Sequence, residues 1–139
     1  MAEESTPADL MECTRGMLDA LSRRDFDTLI GAFAPDAVWE ARGLGTSFEG
    51  PAEIRSFVEA WMGAYEACEA RLVELRDHGR GVGLVSYQVA ARPTGSSTSL
   101  IERWNFVTAQ AQGGIERIIV SPDAADALDA AEQLAGERT

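Results

Sequence analysis

Residues 25–61, DFDTLIGAFAPDAVWEARGLGTSFEGPAEIRSFVEAW, set out their parts in an order that few folds can accommodate. Asp25 stands at a helix-capping position, and Phe26, Leu29, Ile30 and Phe33 recur on one side of a short helix. Pro35 ends that helix, because the residue before a proline is biased away from helical dihedrals. Residues 36–42 read as a strand carrying Trp39, Gly43 and Gly45 release the chain into a bend with Phe48, and Gly50-Pro51 opens another helix. Ile54, Phe57, Val58, Trp61, Met62 and Tyr65 form the apolar stripe of that helix, the strongest helical signal in the chain. The order predicts a cone lined by helices, with an apolar interior of the kind that encloses a small molecule.

Ahead of this segment, Thr6-Pro7-Ala8-Asp9 reads as a helix start after a frayed stretch of residues 1–5, and Leu10, Cys13, Met17, Leu18 and Leu21 mark one buried face. After it the apolar period changes from 3.6 to 2. Residues 68–76, 82–92, 99–108 and 115–120 read as four successive strands, joined by turns at 77–81, 93–96 and 110–114. Joints this short make neighbours antiparallel. Ser121-Pro122-Asp123 caps a closing Ala-rich helix over residues 122–136, with Leu128 and Leu134 its only large apolar residues, so it should pack lightly. The fold class predicted is α+β, a curved, mainly antiparallel sheet wrapped around N-terminal helices, with all helices on one face. Residues 1–139 form a single domain, without repeat or linker.

Charge narrows the partners. A net charge of −11, concentrated near the two ends, makes nucleic acid and anionic membrane surfaces poor partners. The start of the chain lacks a signal-peptide pattern and no apolar run is long enough to span a bilayer, which makes cytoplasmic residence the expectation. Cys13 and Cys68 sit at apolar positions and read as buried, reduced thiols. His78, the only histidine, falls in a turn and should face water, so no metal site is expected. Nothing in the pattern asks for a cofactor.

Asp25-Phe26-Asp27, the run from Phe33 to Trp39, Phe48-Glu49-Gly50 with Ile54 and Phe57, and Ser121-Pro122-Asp123 with Asp126-Ala127-Leu128 together resemble the nuclear transport factor 2-like superfamily. Within it, they are most similar to the SnoaL-like branch of small bacterial proteins, over about residues 10–135. The resemblance implies a cone-shaped fold and, by habit of the superfamily, a homodimer formed through the outer sheet face with Ser86, Gln88, Arg103 and Asn105. It implies no single activity, since ketosteroid isomerases, polyketide cyclases, epoxide hydrolases and dehydratases share the fold. The isomerase pattern carries over only in part. Ala41 stands where its aspartate base belongs, Met17 where its tyrosine belongs, and Glu102 alone matches its third acid, so classical ketosteroid isomerisation is not supported.

On the strand 99–107, residues 102, 104 and 106 share a face that Trp104 and Phe106 mark as inward. Glu102 is thereby expected inside the cone, where desolvation would disfavour its charged form and suit it to acid or base work. The same parity, carried through the resemblance, turns Trp39, Ala41, Tyr87, Val89, Ala91, Ile118 and Val120 inward; Met17, Phe57 and Trp61 complete the expected ligand wall. Glu102 and Tyr87 are the catalytic candidates, as acid/base and hydrogen-bond donor. Two readings of Glu102 stand: a functional group, or a structural one tied to an arginine or to the Tyr87 hydroxyl. Trp39, Trp61, Tyr65 and Trp104 read either as an aromatic cage or as ordinary core. The expected function is a cofactor-free pocket for a small apolar carbonyl, polyketide-like or terpenoid molecule. The alternatives are an isomerase, cyclase, dehydratase or hydrolase using Glu102, and a non-catalytic dimerisation module with a packed core.

Overall fold

The computed structural model describes residues 7–111 and 114–138. The cap assigned to Thr6 and the fraying of residues 1–5 lie outside the described residues, as do residues 112 and 113 of the last turn. Helix α1 (Pro7–Ser22) buries Leu10, Met17, Leu18 and Leu21, the face its spacing predicts. The side chain of Asp25 accepts from the backbone N–H of Thr28 and opens α2 (Phe26–Gly31). Strand β1 (Phe33–Ala41) begins three residues earlier than the sequence suggests. A shift in its pairing between Phe33 and Val38 leaves Pro35 and Asp36 exposed, and such an irregularity is where a strand tolerates proline.

The stretch expected to be an irregular bend contains a strand, β2 (Thr46–Glu49), paired antiparallel to β1 with Phe48 opposite Trp39. Four residues, three of them exposed, carry no legible alternation; pairing across the turn makes this strand. Helix α3 (Gly50–Met62) buries Ile54, Val58 and Met62 and leaves Phe57 and Trp61 half-buried. Tyr65 does not extend its stripe. It starts β3 (Tyr65–Gly79), because the helix stops at Gly63. Strands β4 (Val82–Pro93), β5 (Leu100–Ala111) and β6 (Gly114–Ser121) follow as an antiparallel meander. The sheet order is β2-β1-β6-β5-β4-β3, antiparallel except where β1 runs parallel to β6. Strand β3 forms an edge studded with Glu66, Glu69, Arg71, Glu74 and Arg76, charges that discourage pairing with another chain.

The inner sheet face and α1–α3 enclose the main core, including Trp39, Val85, Tyr87, Phe106 and Ile118. The closing helix is not with them. Helix α4 (Ala124–Glu137), capped by Asp123 rather than starting at Pro122, lies on the opposite face against Val82, Val107, Ala109 and Ile119. Residues 107 and 119 pair across β5 and β6 with their side chains outward, which supplies an apolar strip that α4 covers with alanines and Leu134. Its packing is therefore close, correcting both the light contact and the one-sided arrangement expected from its composition. Arg42 ties the two layers together, donating to Glu40 at 2.6 Å and to Asp126 at 2.8 Å. The His78 side chain is half-buried with Nε2 enclosed, not turned to water, because β3 continues through Gly79 with an irregularity in its pairing at this position. Among the described residues no helix is long and apolar enough to cross a membrane.

Candidate functional site

Period-2 alternation on β4 and β5 decides which side chains meet inside the cone. Tyr87, Val89 and Ala91 on β4 pair with Trp104, Glu102 and Leu100 on β5, so these six project to one side. Ala41 on β1 lies beside Val120 on β6, and Trp39 adds its indole from the same face. Phe57 and Trp61, one turn apart on α3, close the opposite wall. Between them is a cavity of about 340 Å³. Arg24 donates to the carbonyls of Met62 and Tyr65, charge-assisted bonds that hold the end of α3 and the start of β3 in place beside it.

Ten of the residues expected inward line this space: Trp39, Ala41, Phe57, Trp61, Tyr87, Val89, Ala91, Glu102, Trp104 and Val120. Met17 and Ile118 do not. Both are packed in the core cluster; α1 runs along β3, away from the α3 wall, and Ile118 sits one inward position deeper than Val120. Tyr65, read as part of an aromatic cage or of the core, belongs to the wall, as do Gly43, Leu44, Leu100 and Pro122, which were not assigned to it by sequence. Tyr65 is foreseeable from the aromatic set around it. Leu44 and Pro122 come from loops, where no periodicity reports direction.

Glu102 faces the cavity but is exposed, at its mouth, rather than enclosed among Trp, Phe and Ile. The outer half of β5, from Leu100 to Arg103, carries no covering helix, so inward parity there does not mean burial. Its partner is neither an arginine nor Tyr87. The indole N–H of Trp104, two residues on and on the same face, donates to Glu102 Oε2 at 2.8 Å. No described residue bonds Oε1. Tyr87 is the deep polar group: 6% exposed, its ring edge-on to Phe106, its hydroxyl without a hydrogen bond to any described residue. Burial, with a smaller contribution from the nearby Cys68, pushes its phenol up from the ordinary value, so it is a neutral donor across the physiological range. The lining thus combines apolar side chains, two donors without a hydrogen bond to any described residue, the Tyr87 hydroxyl and the buried Trp39 indole N–H, and one carboxylate at the entrance.

A wider groove beside α1 and the start of β3 is open to solvent, with Arg15, Asp19, Arg24, Glu66 and Glu69 among its thirteen lining residues. It lacks the enclosure that excludes water from a small ligand. Cys68 is buried, Cys13 half-buried, and both are free.

The SnoaL-like domain family matches residues 14–118. In structure the chain is similar to a hypothetical protein of Catenulispora acidiphila with a ketosteroid isomerase-like fold, crystallised with trimethylamine (TM-score 0.74, 13% identity, 91% of this chain and 94% of that one). It is also similar to a cystatin-fold protein of Novosphingobium aromaticivorans (0.68, 20%, 81% and 97%). A third likeness is to an LEH-like epoxide hydrolase of M. tuberculosis (0.69, 18%, 89% and 90%). At these identities the likenesses establish the fold alone. Among curated proteins, none matches the chain.

Proposed function

From the premise that the chain belongs to the SnoaL-like family, we propose that its cavity binds a small, largely apolar molecule bearing a hydrogen-bond acceptor, such as a carbonyl, polyketide-like or terpenoid compound. One observation carries this reading: Tyr87 is buried on the wall of an apolar cavity of about 340 Å³, and its hydroxyl has no hydrogen bond to any described residue. A buried donor without a partner costs stability, and a ligand acceptor would supply one. The volume suits a compact ligand of one or two rings. A core packed shut by its aromatic side chains, as a bare dimerisation module would have, leaves no such space.

The test is a thermal-shift and fluorescence screen of apolar ketones, aromatic polyketide-like compounds and terpenoids. A true ligand at a hundred times its Kd adds about 2.7 kcal/mol of stability. Binding that survives Ala41→Phe, which fills the cavity from β1, would place the ligand elsewhere and end the reading.

Catalysis is the second reading, favoured by the unbonded Oε1 of Glu102 facing the same space. Glu102 would take or give a proton while Tyr87 holds the ligand's oxygen, chemistry suited to isomerisation, dehydration, cyclisation or hydrolysis. Full turnover by a Glu102→Gln protein, on any substrate the screen yields, would remove Glu102 from the chemistry. For assembly, of the outer face expected to meet a second copy, Asn105 is buried within the single chain and accepts from Ser86, so the surface we propose for the contact is Gln88 and Arg103 with the exposed Ile101. A monomer-sized particle in sedimentation at high concentration would reject the dimer.

A further inference from the structure

The cavity wall draws on the chain's aromatic residues out of proportion. All three tryptophans and both tyrosines of the sequence stand on it, with Phe57, making six of fifteen lining residues. The charge on that wall is as one-sided: Glu102 contributes a carboxylate, and among the described residues no arginine or histidine lines the space. An apolar neutral ligand would need neither feature, since aliphatic side chains offer the same burial. Aromatic rings differ from aliphatic ones in their quadrupole, whose negative faces attract cations.

The geometry at the mouth reinforces this. The indole N–H lies in the plane of its ring, so the carboxylate that accepts from Trp104 Nε1 at 2.8 Å sits at the ring's edge and leaves its faces uncovered. Donating to an anion also polarises the indole toward a more negative ring. A net charge of −11 adds a long-range field that gathers cations and turns anions away. An anionic ligand would meet Glu102 with no compensating cation on the wall.

We infer that the ligand is an organic cation: a tertiary or quaternary ammonium on a small apolar body, with the aromatic wall around the alkylated nitrogen and Glu102 as its counter-ion. The assignment rests on the reading that this cavity holds a ligand, and names its class. Tyr87 then meets an acceptor at the other end of the same molecule.

The experiment uses phenyltrimethylammonium, its uncharged carbon isostere tert-butylbenzene, and 4-tert-butylbenzoate, which keeps the tert-butylphenyl body and adds a para carboxylate. Each is titrated into the full chain at low salt, with tryptophan fluorescence as the signal and calorimetry as the check. The cation is expected to bind about tenfold more tightly than the neutral isostere, and the benzoate most weakly. In Glu102→Gln, an exposed substitution whose amide oxygen can still accept from Trp104 and whose melting temperature is measured alongside, the cation should lose most of that advantage while tert-butylbenzene is unaffected. Equal or tighter binding of tert-butylbenzene overturns the cation assignment and leaves the cavity reading standing. A preference untouched by Glu102→Gln overturns the counter-ion role. Failure of all three probes to bind overturns the cavity reading itself and this inference with it.

Discussion

Replacing Tyr87 by phenylalanine removes one oxygen and leaves the rest of the side chain in place, so the sign of its effect on stability is diagnostic. The ring packs edge-on to Phe106, centroids 5.4 Å apart at 68°, and phenylalanine keeps that contact. What changes is a hydroxyl on a buried residue, largely desolvated and without a hydrogen bond to any described residue. A tyrosine whose hydroxyl bonds to protein loses about 1 kcal/mol on conversion to phenylalanine, whereas a wholly unsatisfied buried hydroxyl costs about 1–3 kcal/mol to keep. Because Tyr87 opens on the cavity, water recovers part of that cost, and the expected gain for Tyr87→Phe is about 0–1 kcal/mol. For a domain of this length that is a rise in Tm of up to about 4 °C. Urea unfolding followed by tryptophan fluorescence measures it, with an unchanged m-value as the sign that two-state behaviour holds. Affinity for an acceptor-bearing ligand should move the other way, falling by up to about tenfold. A destabilisation of 1 kcal/mol or more would mean that the hydroxyl is held by protein, and the functional argument built on its vacancy would collapse.

Other consequences are simpler to state. Ile54→Ala, at a side chain 0% exposed between α3 and the sheet, should cost about 3 kcal/mol in urea unfolding, and a cost below about 1 would contradict the packing described. Gly81 has φ +77° and a Cβ there would lie 2.3 Å from the backbone oxygen of Gln110, so Gly81→Ala should cost about 2 kcal/mol or more; a neutral result would show that the β3–β4 turn sits elsewhere. Hydrogen bonds from Thr28 hold the Asp25 carboxyl below its usual range, and the Gly95 N–H followed by Arg92 does the same for Glu66. With folded pKa values below the unfolded ones, both groups contribute stability that is complete above about pH 4 and lost as pH falls through the folded values. Carbon NMR titration of the two carboxyls alongside melts from pH 6 downward checks it, and carboxyls titrating at or above the unfolded value would refute it. Burial raises the thiol pKa of both Cys13, against a hydrogen bond from Gln110, and Cys68, so iodoacetamide at pH 8 should label both more slowly than a free cysteine peptide. Labelling at the peptide's rate would contradict their burial.

By itself the sequence determined the elements that repeat with a period. The stripe Ile54, Val58, Met62 and the alternation Tyr87, Val89, Ala91 each report a direction relative to the backbone, and both point to the core side in the structure. The resemblance then supplied the way these faces close into a cone, and ten of the residues expected on its inner wall do meet around the cavity. Parity, however, says which way a side chain points and not how deep it lies. Glu102 shares the inward face of Trp104 and Phe106 yet is exposed, because nothing covers the outer half of β5; Ile118 shares it too and is fully buried below the cavity floor. Depth depends on which helix lies over a position, a relation between segments distant in the chain. The same holds for β2, made a strand only by Trp39 and Phe48 standing opposite each other, and for α4, whose alanines find their partners on the outer strip of Val107, Ala109 and Ile119. Local periodicity encodes orientation residue by residue, while burial, edge pairing and the choice of sheet face are properties of the packed whole, decided only when the chain closes on itself.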